Sequence, residues 1–132
     1  MRSASGMRAV DTNVLVRLIA RDDDKQVRAA EAYVSSGAWV SQIVLVETIW
    51  VLDAVLELPP ARIATAVDML LHHTHLNLQD ADTVELALRH YRSKPLLGFS
   101  DCLILEVARK AGHLPLGTFD KNLARLAGAE RL

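Results

Sequence analysis

Short apolar segments alternate with longer segments of helical periodicity along this chain. We predict four strands, at residues 7–10, 38–40, 76–78 and 114–118. Short strands that alternate with helices are typical of an α/β protein built around a mostly parallel sheet. In such sheets, ligand sites form just beyond the carboxyl ends of the strands. Polar residues that directly follow a predicted strand are therefore the first candidates for a functional site.

Capping residues mark the ends of several predicted helices. Ser41 is a good N-cap for a long helix that runs to about Leu56, where Pro59 stops it. Pro60 suits the first turn of the next helix, and Gly112 suits the position just after a later one. Besides the long helix from Ser41, the predicted helices cover residues 13–19, 25–34, 60–73, 81–92, 100–111 and 121–126.

The length of 132 residues fits one compact domain, and no repeat, low-complexity tract or linker divides it. We therefore predict a single domain over residues 7–132. Residues 1–6 lack the apolar stretch of a signal peptide, and we expect a disordered prefix or a cloning remnant there. No apolar run approaches the ~18 residues that a membrane-spanning helix needs, so we expect no membrane association.

Charge and cysteine content narrow the choice of partner and compartment. The formal net charge is -1, so any contact with nucleic acid must come from a local patch rather than from bulk electrostatics. The single cysteine, Cys102, cannot form an internal disulfide and lies in an apolar helical run. We expect a small buried side chain in a protein of a reducing compartment, the cytoplasm.

Four acidic residues lie at the ends of predicted strands or within predicted helices. Asp11 closes the first predicted strand, and Asp120 follows the last one. Asp101 lies in the first turn of the helix at 100–111, and Glu47 lies inside the long third helix. No local spacing forces these acids together, so only the fold can bring them to one place.

Two of these carboxylates have apolar neighbours along the chain, which predicts that they are buried. Glu47 lies among nearly continuous apolar residues, and a helix that is apolar all round is expected to be buried. Asp101 precedes a second apolar run, and neither acid has a basic residue one turn away on its own helix. Four carboxylates within ~4 Å of one another repel by about 4 kcal/mol per pair at an effective dielectric constant of about 20. A divalent cation removes that cost, and hard oxygen ligands select Mg²⁺ or Mn²⁺.

Each acid also has a purely structural interpretation that the sequence leaves open. Asp11 suits a turn at a strand end, and Glu47 and Asp101 could lie on exposed helical stripes. Asp120 could cap the helix that follows it, a role that is compatible with a site. Glu106, with basic residues one turn later, is typical of a solvated helix face.

The residues around the four acids resemble the motifs of the PIN-domain nucleases. Four motifs carry the resemblance, in the order of the family: AVDTNVL at 9–15, Glu47 with Trp50 and Leu52, FSDCLI at 99–104, and GTFD at 117–120. The resemblance covers residues 7–132, and the size of the chain is similar to that of the VapC-type toxins of toxin–antitoxin pairs.

This resemblance implies a fold and a reaction. The fold would be a three-layer α/β/α PIN-like arrangement with a mostly parallel, twisted sheet of four to five short strands. The reaction would be metal-dependent cleavage of RNA, in which activated water leaves 5′-phosphate and 3′-hydroxyl ends. The implied catalytic carboxylates, which would hold one or two Mg²⁺ or Mn²⁺ ions, are Asp11, Glu47, Asp101 and Asp120.

The resemblance assigns different parts to these residues. Asp11 and Asp101 would bind the metal, with Glu47 and Asp120 acting directly or through water. Asn13 and Thr118 would be accessories that orient carboxylates or water, unless they make only structural hydrogen bonds. The histidines near residue 75 lie at a predicted helix end that suits their charge, and no cysteine completes a zinc site with them.

The resemblance also implies partners. The chain would be the toxin of a type II toxin–antitoxin pair, a cytoplasmic homodimer that a cognate antitoxin protein neutralises. Its substrate would be a structured RNA or a single-stranded loop. The antitoxin tail would lie between the early helices and the long third helix, where apolar anchors are available unless they pack into the core: Ile19, Tyr33, Trp39 and Trp50.

Other functions compete with this interpretation. A catalytically silent PIN-like module that binds RNA or protein is the first alternative. A phosphoryl-aspartate enzyme of the haloacid-dehalogenase type would use Asp11 as a nucleophile, but that pattern needs a second aspartate where this chain has Asn13. A receiver domain would need paired acids before the strand and a lysine after the last strand, and neither is evident.

Overall fold

The computed structural model describes residues 7–132, which fall into two compact units. The first unit contains the described residues up to Ala81, and the second contains residues 82–132. The expected prefix, residues 1–6, lies outside the described residues. No helix within residues 7–132 is both long and apolar enough to cross a lipid bilayer. A single domain over residues 7–132 stays a prediction.

The elements alternate as the sequence predicts. In the first unit they are β1 (Arg8–Ala9), α1 (Thr12–Ala20), α2 (Asp24–Val34), β2 (Ala38–Val40), α3 (Gln42–Trp50), α4 (Pro60–Leu71) and β3 (Leu76–Leu78). Helix α5 (Ala81–Ser93) begins at the last residue of the first unit, and α6 (Phe99–Ala111), β4 (Leu116–Thr118) and β5 (Ala129–Arg131) follow in the second unit. Shorter turns are a π-helical turn at Val51–Val55 and 3₁₀ turns at Pro95–Leu97 and Leu123–Arg125.

The sheet of the first unit places two helix starts at one edge. Its strands are parallel in the order β1-β2-β3, with Arg8 opposite Ala38 and Ala38 opposite Leu76. The chain leaves β1 and β2 at the same carboxyl edge and enters α1 and α3, which pack against each other. Ser41 caps α3 as predicted, because its Oγ accepts a hydrogen bond from the Val44 amide at 3.1 Å.

Buried aliphatic side chains hold the first unit together. Each such side chain contributes about 1.5–3 kcal/mol relative to an exposed position. The largest ones that are nearly inaccessible come from α1, α2, β2, α3, the π-helical turn and α4: Leu15, Val34, Val40, Leu45, Leu52, Val67 and Leu70.

The second unit is built around α5, α6 and a parallel pair of strands. Leu116 of β4 lies opposite Ala129 of β5. The rings of Tyr91 and Phe99 meet edge to face with centroids 6.0 Å apart, and both side chains are buried. Helix α6 ends as predicted at Gly112, whose φ of 84° lies in the left-handed region that favours glycine.

Several predicted element bounds are wrong, for local reasons. The first strand is only Arg8–Ala9, and β4 begins at Leu116 rather than at residue 114. The helix predicted at 121–126 is a single 3₁₀ turn, because the chain must turn back to form β5 beside β4. The long third helix is α-helical only to Trp50, after which the wider π-helical turn follows.

Candidate active site

Asp11 lies at the carboxyl edge of the first unit's sheet and has a structural role there. It caps α1, since its Oδ1 accepts a hydrogen bond from the Val14 amide at 3.2 Å. The side chain is nevertheless exposed to solvent, as is that of Asn13 in the first turn of α1. The cap therefore coexists with an accessible carboxylate at the position that the strand-end rule predicts.

Thr12 connects this edge to Glu47. Its hydroxyl donates a hydrogen bond to Glu47 Oε2 at 3.1 Å, from the first residue of α1 to the middle of α3. Because Thr12 directly follows Asp11, this bond brings the Glu47 carboxylate to the Asp11 end of α1. The sequence does not single out Thr12. Its only signal there is a hydroxyl beside a strand-end aspartate, a signal too common to be specific.

The predicted burial of Glu47 is wrong. The side chain is exposed, on a stripe of α3 that also carries Ile43 and Trp50, which are 73% and 63% exposed. The opposite face, with Leu45 and Thr48, is buried. Apolar residues surround the helix, but packing covers only one side of it, so composition alone could not identify the covered face. The exposed stripe, which the sequence left open as the alternative, is what the structure has.

The second unit brings Asp101 and Asp120 within electrostatic reach of each other. Asp101, in the first turn of α6, is half-buried rather than fully buried, while Cys102 beside it is inaccessible. Burial raises the pKa of the Asp101 carboxyl, and the negative charge of Asp120 raises it further. A nearby positive charge would therefore favour the charged form of Asp101.

Asp120 also has a structural role, in the turn that leads into the 3₁₀ turn at Leu123–Arg125 rather than as the cap of the helix predicted at 121–126. Its Oδ1 accepts hydrogen bonds from the amides of Asn122 at 2.7 Å and Leu123 at 3.0 Å. Thr118 supports the same turn, because its Oγ1 accepts a hydrogen bond from the Asp120 amide at 3.0 Å. Thr118 thus positions the backbone of Asp120, while the Asp120 side chain remains exposed.

Each unit therefore supplies two of the four predicted acids. Asp11 and Glu47 belong to the first unit, and Asp101 and Asp120 belong to the second. Across residues 7–132, no three His, Cys, Asp or Glu side chains are grouped closely enough to hold a metal ion. The donor chemistry fits a hard divalent cation, since all four groups are carboxylates and Asp101 bears an electrostatic cost that a cation would remove. One cluster of four acids stays a prediction.

The prediction that Glu106 lies on a solvated helix face is wrong. Its side chain is 3% exposed and lies 3.1 Å from His90 Nε2 and 3.2 Å from Arg109 Nε. Arg109 in turn donates a hydrogen bond to the carbonyl oxygen of Ala127 at 2.6 Å. The i,i+3 spacing to Arg109 indicates a pair but not its burial. The network ties α5, α6 and the approach to β5 together.

The first unit also contains a cleft between α1 and α2 that begins beside Asn13. It has a volume of about 490 Å³, and its polar lining comes from Asn13, Arg17, Gln26 and Tyr33. Arg17 forms an ion pair with Asp22 at the exposed end of α1.

These features define the class of the protein: an α/β protein with parallel strands and exposed carboxylates just beyond strand ends. A family model described as PIN domain matches residues 8–129, and the chain belongs to the PIN domain family. This membership confirms the predicted α/β PIN-like fold class. PIN domains are typically nucleases that use divalent metals, so the membership also supports, at that general level, a nuclease. Neither the curated proteins nor the solved structures compared with the chain include a match.

Proposed function

We propose that the chain is a Mg²⁺- or Mn²⁺-dependent endoribonuclease whose metal ligands are Asp11, Glu47, Asp101 and Asp120. The observation that carries the proposal is the Asp101–Asp120 pair, in which a half-buried carboxyl is destabilised in its charged form by burial and by a second carboxylate. A cation relieves both effects. Family membership over residues 8–129 supports nuclease chemistry in general.

The side chains would divide the work as follows. Asp11 and Asp101 would bind the ion directly, and Glu47 and Asp120 would bind it directly or through water. When bound, a divalent ion lowers the pKa of water to produce a nucleophile and stabilises charge on phosphate oxygens. Thr12 holds Glu47 in one orientation, and Thr118 holds the turn that carries Asp120. Asn13, exposed beside Asp11, is available to hydrogen-bond the substrate or water. The products would carry 5′-phosphate and 3′-hydroxyl ends.

The decisive test is cleavage of total cellular RNA by the purified chain with Mg²⁺, Mn²⁺ or EDTA. We expect discrete fragments with either metal and none with EDTA, and loss of the fragments in Asp101→Asn. Asp53→Asn, an exposed acid on the π-helical turn, is the matched control and should cleave normally. RNA binding without cleavage under every metal condition would instead favour the catalytically silent binding module.

The same proposal extends to partners. We propose a type II toxin that forms a homodimer, acts in the cytoplasm and is neutralised by an antitoxin whose tail lies between the early helices and the long third helix. Tyr33 and Trp39, two of the anchors considered for that tail, are 37% and 38% exposed, which supports their availability. Expression of the chain alone should arrest growth, and co-expression of a neighbouring small gene should restore growth and yield a co-purifying complex. A chain that never associates with such a product is not this kind of toxin.

A further inference from the structure

The cleft between α1 and α2 lies wholly within the first unit and has a volume of about 490 Å³. A volume of this size suits a small molecule, because ligand pockets typically measure about 300–1,000 Å³. None of the four candidate metal ligands lines the cleft. It is therefore a candidate binding site in its own right.

The positions of the lining residues along the two helices explain why they face one cleft. Asn13 and Arg17 are four residues apart on α1 and share one face of that helix. Gln26 and Tyr33 lie about two turns apart on α2 and also share a face. Only residues 21–23 connect α1 to α2, so the helices run back beside each other. Arg17 and Gln26 therefore lie near the connection, and Asn13 and Tyr33 lie farther from it.

Arg17 is the charged residue of the lining. Its Nη1 forms the ion pair with Asp22, an exposed side chain. Its Nε is buried and has no hydrogen-bond partner among the residues that the structure describes. A guanidinium group has a second edge, formed by Nε and Nη2, that can bind an oxyanion in a bidentate manner. Asp22 therefore orients the guanidinium without occupying the edge that an anion would use.

Tyr33 contributes an aromatic ring at the end of the cleft farther from the helix connection. The guanidinium of Arg8 packs on this ring, 3.9 Å from the ring centroid. The Tyr33 hydroxyl donates a hydrogen bond to the carbonyl oxygen of Ala9 at 3.5 Å. These contacts hold the ring against β1. The small side chains of Ala29 and Ala30 line the cleft on the same helix and leave room for a ligand.

We propose that this cleft binds a nucleoside monophosphate, with the phosphate at Arg17 and Gln26 and the base beside Tyr33. A phosphate monoester has three acceptor oxygens, which suit the guanidinium edge and the side-chain amide of Gln26 better than the two oxygens of a carboxylate. An aromatic ring with small apolar neighbours suits a planar base, and the Asn13 amide is available for its polar edge. This phosphate monoester occurs both on a free nucleotide and at the 5′ end of a nucleic acid strand.

The dimensions of the cleft favour a nucleotide over a protein tail. The two turns of α2 that line it span about 11 Å, which is only about three residues of an extended peptide. A stable protein interface buries about 800 Å² on each partner. A nucleoside monophosphate carries a phosphate at one end and a planar ring at the other, which matches the placement of Arg17 and Tyr33.

Calorimetric titration with AMP and UMP, in buffer freed of divalent metals, tests the site. We expect both nucleotides to bind more tightly than inorganic phosphate, which has no base. Arg17→Gln should weaken nucleotide binding roughly 10- to 100-fold, the range for loss of a hydrogen bond to a charged group. Asp22→Asn should strengthen it about 2- to 5-fold, because a competing negative charge beside Arg17 is removed.

Matched variants make these effects specific. Arg89→Gln removes another arginine of an exposed ion pair, in the second unit, and should bind nucleotides normally. Tyr33→Leu should weaken nucleotide binding at least about 5-fold and leave binding of inorganic phosphate unchanged. A gain in affinity cannot result from unfolding, so Asp22→Asn decides the matter even where Arg17→Gln folds poorly. Absence of nucleotide binding, affinity equal to that for inorganic phosphate, or unchanged affinity in Asp22→Asn overturns the proposal.

Two dinucleotides separate the sources of the phosphate. One carries a 5′-phosphate, and the other has a 5′-hydroxyl and only a diester. Tighter binding of the phosphorylated dinucleotide than of AMP indicates the end of a strand, and tighter binding of AMP indicates a free nucleotide; both support the site. Equal binding of the two dinucleotides overturns the monoester. Binding of a glutamate-rich peptide that Arg17→Gln abolishes, without binding of nucleotides, assigns the cleft to a protein and also overturns the inference.

This site does not depend on the proposed nuclease. Nucleotide binding without metal, by a chain that cleaves no RNA under any metal condition, overturns the nuclease and leaves the cleft in place. Metal-dependent cleavage by a chain that binds neither AMP nor UMP overturns the cleft and leaves the nuclease in place.

Discussion

Thr12 donates a 3.1 Å hydrogen bond to Glu47 across 35 residues of sequence. The bond exists because β1 and β2 are parallel neighbours, so that α1 and α3 start at the same edge of the sheet. The position of Glu47 relative to Asp11 is thereby controlled by a residue that is not itself an acid.

Removal of this hydroxyl should impair catalysis more than stability. We expect Thr12→Val to lower kcat/KM for RNA cleavage about 10- to 100-fold, the usual range for loss of a group that orients a metal ligand. Thr12→Ser keeps the donor and should recover most of the activity. Steady-state kinetics and Mn²⁺ titration by calorimetry measure both effects, and identical kinetics for Val and Ser would contradict the role.

Substitutions of Asp11 separate its role as the cap of α1 from its proposed role in catalysis. Asparagine caps a helix about as well as aspartate, whereas alanine costs about 1 kcal/mol. We therefore expect Asp11→Asn to leave the free energy of unfolding nearly unchanged and to abolish cleavage, while Asp11→Ala lowers both. Urea denaturation and RNA cleavage are the two measurements. Active Asp11→Asn protein would show that Asp11 is only a cap.

Asp101 should make stability depend on pH in a particular direction. Its pKa is raised in the folded protein above the ordinary value of 3.8, chiefly by burial and then by Asp120. The folded state then holds the proton more tightly than the unfolded state, so stability falls as pH rises from 3.8 through the raised value.

Asp101→Asn removes this dependence. In EDTA at neutral pH the variant should therefore be more stable than the original protein, with a higher urea midpoint, and the difference should shrink toward pH 4, just above the ordinary value of 3.8. Added Mn²⁺ should raise the midpoint of the original protein and not that of the variant. A variant that is less stable at neutral pH would show that the carboxylate is stabilised by groups other than a cation.

Glu106 should matter for stability rather than for chemistry. Loss of one partner of a buried ion pair costs about 3–5 kcal/mol, and partial exposure of Arg109 and His90 places Glu106→Ala at the low end, about 3 kcal/mol. Glu106→Gln should cost less, because it can still accept hydrogen bonds. Glu85→Gln, which breaks an exposed pair with Arg89, should change the free energy of unfolding by less than about 1 kcal/mol.

Cys102 offers a reporter of opening in the second unit. The side chain is inaccessible, and burial raises the pKa of its thiol to about 11, with the charges of Asp101 and Glu106 adding to the effect. At pH 8 roughly one thiol in a thousand would be ionised, so a disulfide reagent should label the native protein at least about 100-fold more slowly than the urea-unfolded chain. Rapid native labelling would indicate frequent local unfolding of α6.

Much of the fold follows from the sequence, because strand and helix signals are local. The bounds of β2 and β3, the Ser41 cap and the Gly112 stop are all observed where they were predicted. The strand β5 was harder to foresee, since Ala129–Arg131 has little apolar character and depends on its pairing with β4.

At the candidate site, the sequence predicts the positions of carboxylates at strand ends but not the burial of side chains on helices. The strand-end rule correctly indicates accessible carboxylates at Asp11 and Asp120, because position in a parallel sheet depends on chain order. It cannot tell which side of α3 or α6 is covered, since that depends on neighbours distant in sequence. For this reason Glu47 was predicted to be buried and is exposed, while Glu106 was predicted to be solvated and is buried.

The hydrogen bonds that Asp11 and Asp120 accept from backbone amides have a consequence for ligand binding. Backbone amides hold Oδ1 of each aspartate, so each carboxylate is already restricted to one orientation in the folded chain. Immobilising a freely rotating side chain on association typically costs about 0.5–1.5 kcal/mol. For Asp11 and Asp120 this loss of side-chain entropy occurs on folding, so a cation that binds either carboxylate has less side-chain entropy to remove.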